Sequence, residues 1–348
     1  MLNLGNSKIY NLDDFTVLVV DDFEFVAELL VTMLEEMGIG RCLTAKSCAE
    51  AREIMSDVNA KNSRDNIDLV IMDWLMPEEN GDALINWIRN SKNDNVRFLP
   101  VIVCSAYVTQ DLAMTARNLG ATNIIVKPLS AEKLVNRIQY VIDNPEPFID
   151  SPTYFGPNRR GGKRDYKGQD RRQRQPVMLG NIKDKDANDI VMYPADYALK
   201  RKAGLPERDD VKGRVNPEKI KKATKALEKK GQHYTAEIEK VYKKMLGAFL
   251  RIQKNDGERS ANVKSIHLCA NNIKDLTATY NRSLLYELSL SLRDYCEKIN
   301  PNQPQHLVIL KAYIDTIGVT MKQKLMNSNS PEAMELKRII QKAIEIYA

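Results

Sequence analysis

No stretch of this 348-residue chain approaches the roughly 18 consecutive apolar residues that a membrane-spanning helix needs, so membrane insertion is not expected. Cysteine is scarce. The five thiols, Cys42, Cys48, Cys104, Cys269 and Cys296, form no CxxC pair, which excludes a disulfide scaffold and a thiolate zinc site. Only three histidines occur, His233, His267 and His306, too far apart to suggest a metal cluster on their own. The first fifteen residues have neither a basic flank nor an apolar run, so no secretory signal is expected, and a cytoplasmic protein is. Charge of one sign is lacking too: 52 Lys and Arg face 46 Asp and Glu. The surplus of six lies within residues 151–175, where eight basic residues meet Asp165 and Asp170. Nucleic-acid binding by the chain as a whole is therefore not expected.

What is present is a strict alternation over residues 15–143. Short β-rich runs fall at Phe15–Val20, Arg41–Ala45, Asp68–Met72, Leu99–Cys104 and Asn123–Val126. Those containing VLVV, LVIM and VIVC are continuously apolar, as parallel strands covered on both faces must be. Helical spacing separates them: Phe25, Leu29, Leu30, Met33, Leu34 and Met37; then Leu84, Trp87 and Ile88; later Leu134, Ile138 and Val141. This predicts an α/β domain with a doubly wound, five-stranded parallel sheet over residues 15–146, after an N-terminal tail of residues 1–14. Residues 144–217 hold eight of the fourteen prolines, so residues 147–215 are expected to be a Pro/Arg-rich linker. Within it, Tyr154–Arg160 and Tyr166–Arg172 both read Y-x-G-x-[ND]-R-R. A solvated linker and an anion-docking surface of arginine forks beside Tyr154, Phe155 and Tyr166 are the two readings of that echo. From Asn216 four apolar stripes, through Ile238–Ile252, Val263–Thr277, Leu284–Ile299 and Leu310–Met321, precede a helix capped by Ser330-Pro331-Glu332. Residues 216–348 are thus predicted to form an all-α helical bundle.

In an open parallel sheet, ligands bind beyond the carboxyl ends of the strands. There stand Asp21 and Asp22, Asp73, Ser105 and Lys127. Three carboxylates in one cleft repel each other, and a hard divalent cation such as Mg2+ removes that penalty. One carboxylate can then attack a phosphoryl group, with the ammonium and the hydroxyl stabilising its oxygens.

These motifs, Leu18-Val-Val-Asp-Asp22, Met72-Asp-Trp-Leu-Met-Pro77 with Asn80-Gly81, Cys104-Ser-Ala106 and Val126-Lys-Pro128, resemble the receiver domain of two-component response regulators. The resemblance implies the strand order 2-1-3-4-5. It makes Asp73 the phosphoacceptor, Ser105 the switch hydroxyl and Lys127 the phosphoryl contact. Asp22, Asp73 and the backbone carbonyl of Leu75 would ligate Mg2+ directly, and Asp21 through a water. A sensor histidine kinase is the implied donor. Two departures stand out. Ile124 occupies the place of the family's usual aromatic, and Leu75 and Tyr107 are bulky where the family tunes self-hydrolysis, so a long-lived phosphoryl state is expected.

The bundle carries no nucleotide-binding loop and no catalytic triad, so an enzymatic output is not expected, and a downstream protein partner is. Residues 270–280 are similar to the histidine phosphotransfer helix, H-x-x-K-G, with Asn271 where the histidine belongs, Lys274 matching the lysine and Asp275 replacing the glycine. That resemblance implies a degenerate module. Two alternatives are an active relay through His267, one turn earlier on the same face, and a DNA-binding regulator. The bundle shows no helix-turn-helix with a basic recognition helix.

Overall fold

The computed structural model describes residues 8–105, 110–158, 190–280, 282–323 and 328–347. They divide into two compact units: residues up to Val126 with Ser130–Leu227, and Lys127–Leu129 with Glu228 onward.

The first unit is built on the strands β1 (Thr16–Val20), β2 (Arg41–Ala45), β3 (Leu69–Asp73), β4 (Val101–Ser105) and β5 (Asn123–Val126). All pairs are parallel and the order is β2-β1-β3-β4-β5. Every residue of β1, β3 and β4 is buried, which is why these strands read as unbroken apolar runs. The helices are α1 (Glu24–Glu36), α2 (Cys48–Val58), α3 (Gly81–Arg89), α4 (Gln110–Leu119) and α5 (Ala131–Asp143), with a short turn of helix at Asp94–Arg97. Local chemistry sets their starts. Ser47 accepts the Glu50 amide while the Glu50 carboxylate accepts the Lys46 amide, and Ser130 accepts the Lys133 amide. Val70, Met72, Leu84, Ile88, Val101 and Val103 share one core beneath the sheet.

The stretch expected to be a linker is folded where it is described. β6 (Phe148–Ser151), β7 (Tyr154–Pro157) and β8 (Val191–Tyr193) form an antiparallel sheet in the order β7-β6-β8. A short helix follows at Ala198–Lys202, and Gly213–Arg214 pairs with Lys8–Ile9, inside the expected tail. The reason is a cluster of rings that proline-rich composition hides. Phe98 meets Phe148, Phe155 and Tyr193 edge-on, at centroid distances of 5.0, 5.2 and 5.1 Å. Arg97 lies over three of these rings, and the buried Arg89 donates to the carbonyls of Gly120, Arg97 and Leu99 at 2.7, 2.7 and 2.8 Å. Lys202 pairs with Asp68 at 2.7 Å, and Asp143 accepts the Gly213 amide. Tyr154–Pro157 of the first repeat is β7. Arg159, Arg160 and the whole second repeat lie outside the described residues.

α6 (Pro217–Lys230) begins just after Asn216, whose side-chain oxygen accepts the Glu218 amide at 2.9 Å, but the first unit runs on to Leu227, beyond the expected boundary at 216. The second unit contains α7 (Tyr234–Lys254), α8 (Arg259–Thr279), α9 (Ser283–Cys296), α10 (Pro304–Lys322) and α11 (Pro331–Tyr347). α8 packs against α7 and α9, and α10 against α9 and α11. The predicted stripes are the buried ones, through Ile238, Met245, Ile252, Ile266, Ile273, Leu288, Leu292, Leu310 and Ile317. No described helix is long and apolar enough to cross a membrane.

α8 buries polar groups as well. Lys274 donates to Asn271 Oδ1 at 2.8 Å and lies 3.3 Å from Asp275 Oδ1. One turn earlier, His267 is half-buried with Nε2 3.2 Å from Glu297 Oε1. Burial holds the imidazole below its ordinary pKa, and the Glu297 carboxylate opposes that only in part. A depressed folded pKa means that the unfolded chain takes up the proton first as the pH falls. This group's contribution to stability is therefore complete above about pH 6.5 and lost as the pH falls through the depressed value. Urea melts of the full chain at pH 7.5 and 5.5 are expected to show a loss of stability that shrinks in His267→Gln. An equal loss in that variant would assign the whole effect to other groups.

Candidate phosphoacceptor site

The site stands at the carboxyl edge of the parallel sheet. Asp21 and Asp22 follow β1 directly, Asp73 is the last residue of β3, and Ser105 is the last of β4. The register sets Asp73 beside Cys104, so Ser105 lies one residue beyond it on the neighbouring strand. Ser105 is in turn paired with Val126, the residue before Lys127. Carboxylate oxygens of Asp21, Asp22 and Asp73 come within 4.8 Å of one another. Asp21 and Asp73 are buried and Asp22 is half-buried. Lys127 is buried as well and belongs with the second unit.

The backbone shapes this edge. Asp21 Oδ1 accepts the Phe23 amide at 2.9 Å, fixing the turn into α1. The Trp74 amide donates to the Cys104 carbonyl, and the Gly81 amide returns to the Trp74 carbonyl, so the loop after β3 closes on itself. A Cβ at Gly81 would sit 3.0 Å from the Asp73 carbonyl oxygen and 2.8 Å from Met72 Cε. The glycine of Asn80-Gly81 is thus required by close approach, a role its motif did not announce. Leu75 is half-buried in this loop. Ile124, in the place of the family's aromatic, packs against the sheet core. Tyr107 lies outside the described residues. The nearby thiol of Cys48 is pushed up to about 11, chiefly by burial, and that of Cys42 to about 12 for the same reason; neither is a ready nucleophile.

An all-oxygen set of three carboxylates suits Mg2+, because its charge cancels their mutual repulsion. Asp21→Asn and Asp22→Asn are each expected to weaken Mg2+ binding by about tenfold or more, read by quenching of Trp74 fluorescence on titration. Unchanged affinity in both variants would place the ion elsewhere.

The sequence of this unit is similar to that of known proteins. The family model "Response regulator receiver domain" matches residues 17–139. The phosphate regulon regulatory protein PhoB of Pseudomonas aeruginosa is 30% identical over 128 residues, 36% of this chain and 51% of that protein. The chain thus matches about half the length of PhoB, but 95% of the chemotaxis protein CheY of the same organism, at 24% identity. Among solved structures, a response regulator receiver protein from Pseudomonas putida is 31% identical over 94% of its length, with a TM-score of 0.31. The CheX–CheY–BeF3–Mg2+ complex of Borrelia burgdorferi is 29% identical over 88% of the matched chain, with a TM-score of 0.33. Residues 17–139 of this chain are therefore a response regulator receiver domain of the CheY-like kind.

Proposed function

We propose that the chain is a phosphorylated response regulator, with Asp73 accepting a phosphoryl group from a sensor histidine kinase. The observation that carries this reading is the meeting of Asp21, Asp22 and Asp73 at the sheet edge where Ser105 ends its strand. A carboxylate oxygen of Asp73 forms the new O–P bond as the P–N bond to the donor imidazole breaks. The bonding pair stays on that nitrogen, which takes a proton from solvent. Asp22, Asp73 and the Leu75 backbone carbonyl would hold Mg2+, with Asp21 contributing through a water, and the ion would supply charge neutralisation for the transferring oxygens. The Ser105 hydroxyl donates to one phosphoryl oxygen. Lys127, placed by sequence directly after β5, supplies the compensating positive charge. With the Leu75 side chain offering no polar atom to steer an attacking water, the acyl phosphate is long-lived. Phosphorylation by acetyl phosphate that is lost in EDTA and restored by excess Mg2+ supports this reading, and metal-independent labelling overturns it.

The helical unit is the output in this reading, acting by protein contact and not as an enzyme. The arrangement in α8 argues against a relay there. Asn271 is buried and its amide cannot take a phosphoryl group, while His267 Nε2, the atom a relay needs free, faces Glu297. Acid-labile phosphate on this unit that disappears in His267→Ala would reverse that view.

A further inference from the structure

Between positions 271 and 275, α8 buries three polar side chains that its apolar stripe does not explain: Asn271, Lys274 and Asp275. A fourth group joins them from outside the helix. Lys127, which follows β5 and belongs with the second unit, brings its Nζ to 3.3 Å from Asp275 Oδ2. Both of these side chains are only 4% exposed, and that of Lys274 is 1% exposed.

Two buried ammoniums thus share one carboxylate. Asp275 Oδ2 faces Lys127 and accepts the Asn271 amide at 3.4 Å, while Oδ1 lies 3.3 Å from Lys274. Oδ1 accepts no hydrogen bond among the described residues, so its contact with Lys274 is an ion pair with room to tighten. Burial holds the Lys274 ammonium below its ordinary pKa; Asp275 opposes this, and Arg293 and Lys127 add to it. The two lysines therefore repel each other, and one anion cannot fully compensate both where screening is weak. Asp275 stands where the H-x-x-K-G pattern has glycine. Glycine there would leave both lysines without this carboxylate, so the departure from the pattern is what supplies the counter-ion.

We infer, resting on the phosphoacceptor reading above, that Asp275 competes with the phosphoryl group for Lys127, so that phosphorylation of Asp73 draws the Lys127 ammonium from α8 to the phosphoryl oxygens. The charges favour this exchange. A phosphoryl group carries about two negative charges, against one on the carboxylate. Lys127 leaves without stranding an ion, because Asp275 keeps Lys274 as its cation and Asn271 as its donor. Two cations that shared one anion then have an anion each. The ion pair that ties Lys127 to α8 is lost in the same step, so the modification loosens α8.

Two variants with opposite expected responses test this. Acetyl phosphate labelling of the full chain in Mg2+ is followed by intact-mass spectra. Asp275→Asn removes the competing charge and keeps the side chain's shape, so labelling is expected to be about tenfold faster, an ordinary coupling between sites. Lys274→Met removes the cation that would keep Asp275 matched, so labelling is expected to be about tenfold slower. A merely structural role would shift both rates the same way. Amide hydrogen exchange over residues 270–280 gives a second readout. Beryllofluoride with Mg2+ is expected to speed it in wild type and to leave it unchanged in Asp73→Asn. If Asp275→Asn does not fold, the Lys274→Met rate and the exchange still decide. Wild-type rates in both variants, rates shifted in one direction, or exchange that beryllofluoride does not alter each overturn the inference while Asp73 is still labelled. Absence of labelling in wild type ends the phosphoacceptor reading, and the competition for Lys127 with it.

Discussion

Asp73→Asn is expected to abolish the adduct of about 80 Da that acetyl phosphate and Mg2+ leave on the wild-type chain in intact-mass spectra. The amide removes the nucleophilic oxygen and one of three charges while keeping the volume, so the fold is expected to persist and the chemistry to vanish. The effect is all-or-none because an acyl phosphate requires a carboxylate, and no neighbour substitutes in place. Asp21 and Asp22 stand within 4.8 Å but on the other strand's end, where the resemblance makes them metal ligands. Ser105→Ala gives the graded contrast. It removes one neutral hydrogen bond to the phosphoryl oxygens and leaves the acceptor, so slower labelling is expected, with the adduct still formed. An adduct of undiminished yield in Asp73→Asn would move the acceptor and end the proposed function. Loss of the adduct in Asp73→Asn alongside normal Mg2+ binding in Ser105→Ala would support it.

Arg89→Met is expected to destabilise the first unit by about 2–4 kcal/mol, a large fraction of the stability of an ordinary domain. Arg89 is 4% exposed and directs its guanidinium at three backbone carbonyls, of Gly120, Arg97 and Leu99, with Phe148 5.3 Å away. Methionine fills a similar volume but leaves those acceptors short of donors, at roughly 1–3 kcal/mol for each fully buried group. Part of this is offset. Burial alone already pulls the guanidinium pKa down to about 10, so removing the charge returns some desolvation. The sum still favours loss, because three acceptors outweigh one poorly solvated cation. The consequence reaches β6, since Phe148 rests on Arg89 and anchors the ring cluster. A urea midpoint unchanged from wild type would show the carbonyls to be satisfied by other means.

The five strands and the carboxylates at their ends were legible in the chain itself, whereas their order came only from the family resemblance its motifs carry. Runs such as Val17–Val20 and Val101–Cys104 have no polar interruption, and only a strand covered on both faces tolerates that. Acids placed directly after such runs can reach only the carboxyl edge, so Asp21, Asp22 and Asp73 converge by topology. The bundle stripes were legible for the same kind of reason, because periodicity is a local property. Strand ends were less so: β3 and β4 each start later and end one residue further than expected, since the last pairings depend on the neighbour's length.

Residues 148–157 and 191–193 were not legible as strands. Each strand is only three or four residues long, and the rings that hold them, Phe98, Phe148, Phe155 and Tyr193, are spread over almost a hundred positions. No window contains enough of them to show a period. The same holds for the Lys8–Ile9 strand, whose partner Gly213–Arg214 lies some two hundred residues away. Burial of Arg89 and the closeness required at Gly81 are also tertiary facts, because each depends on distant backbone that only the folded sheet brings near. Local pattern thus determined the elements and the acidic edge of the sheet, whereas long-range packing decided what the proline-rich stretch became.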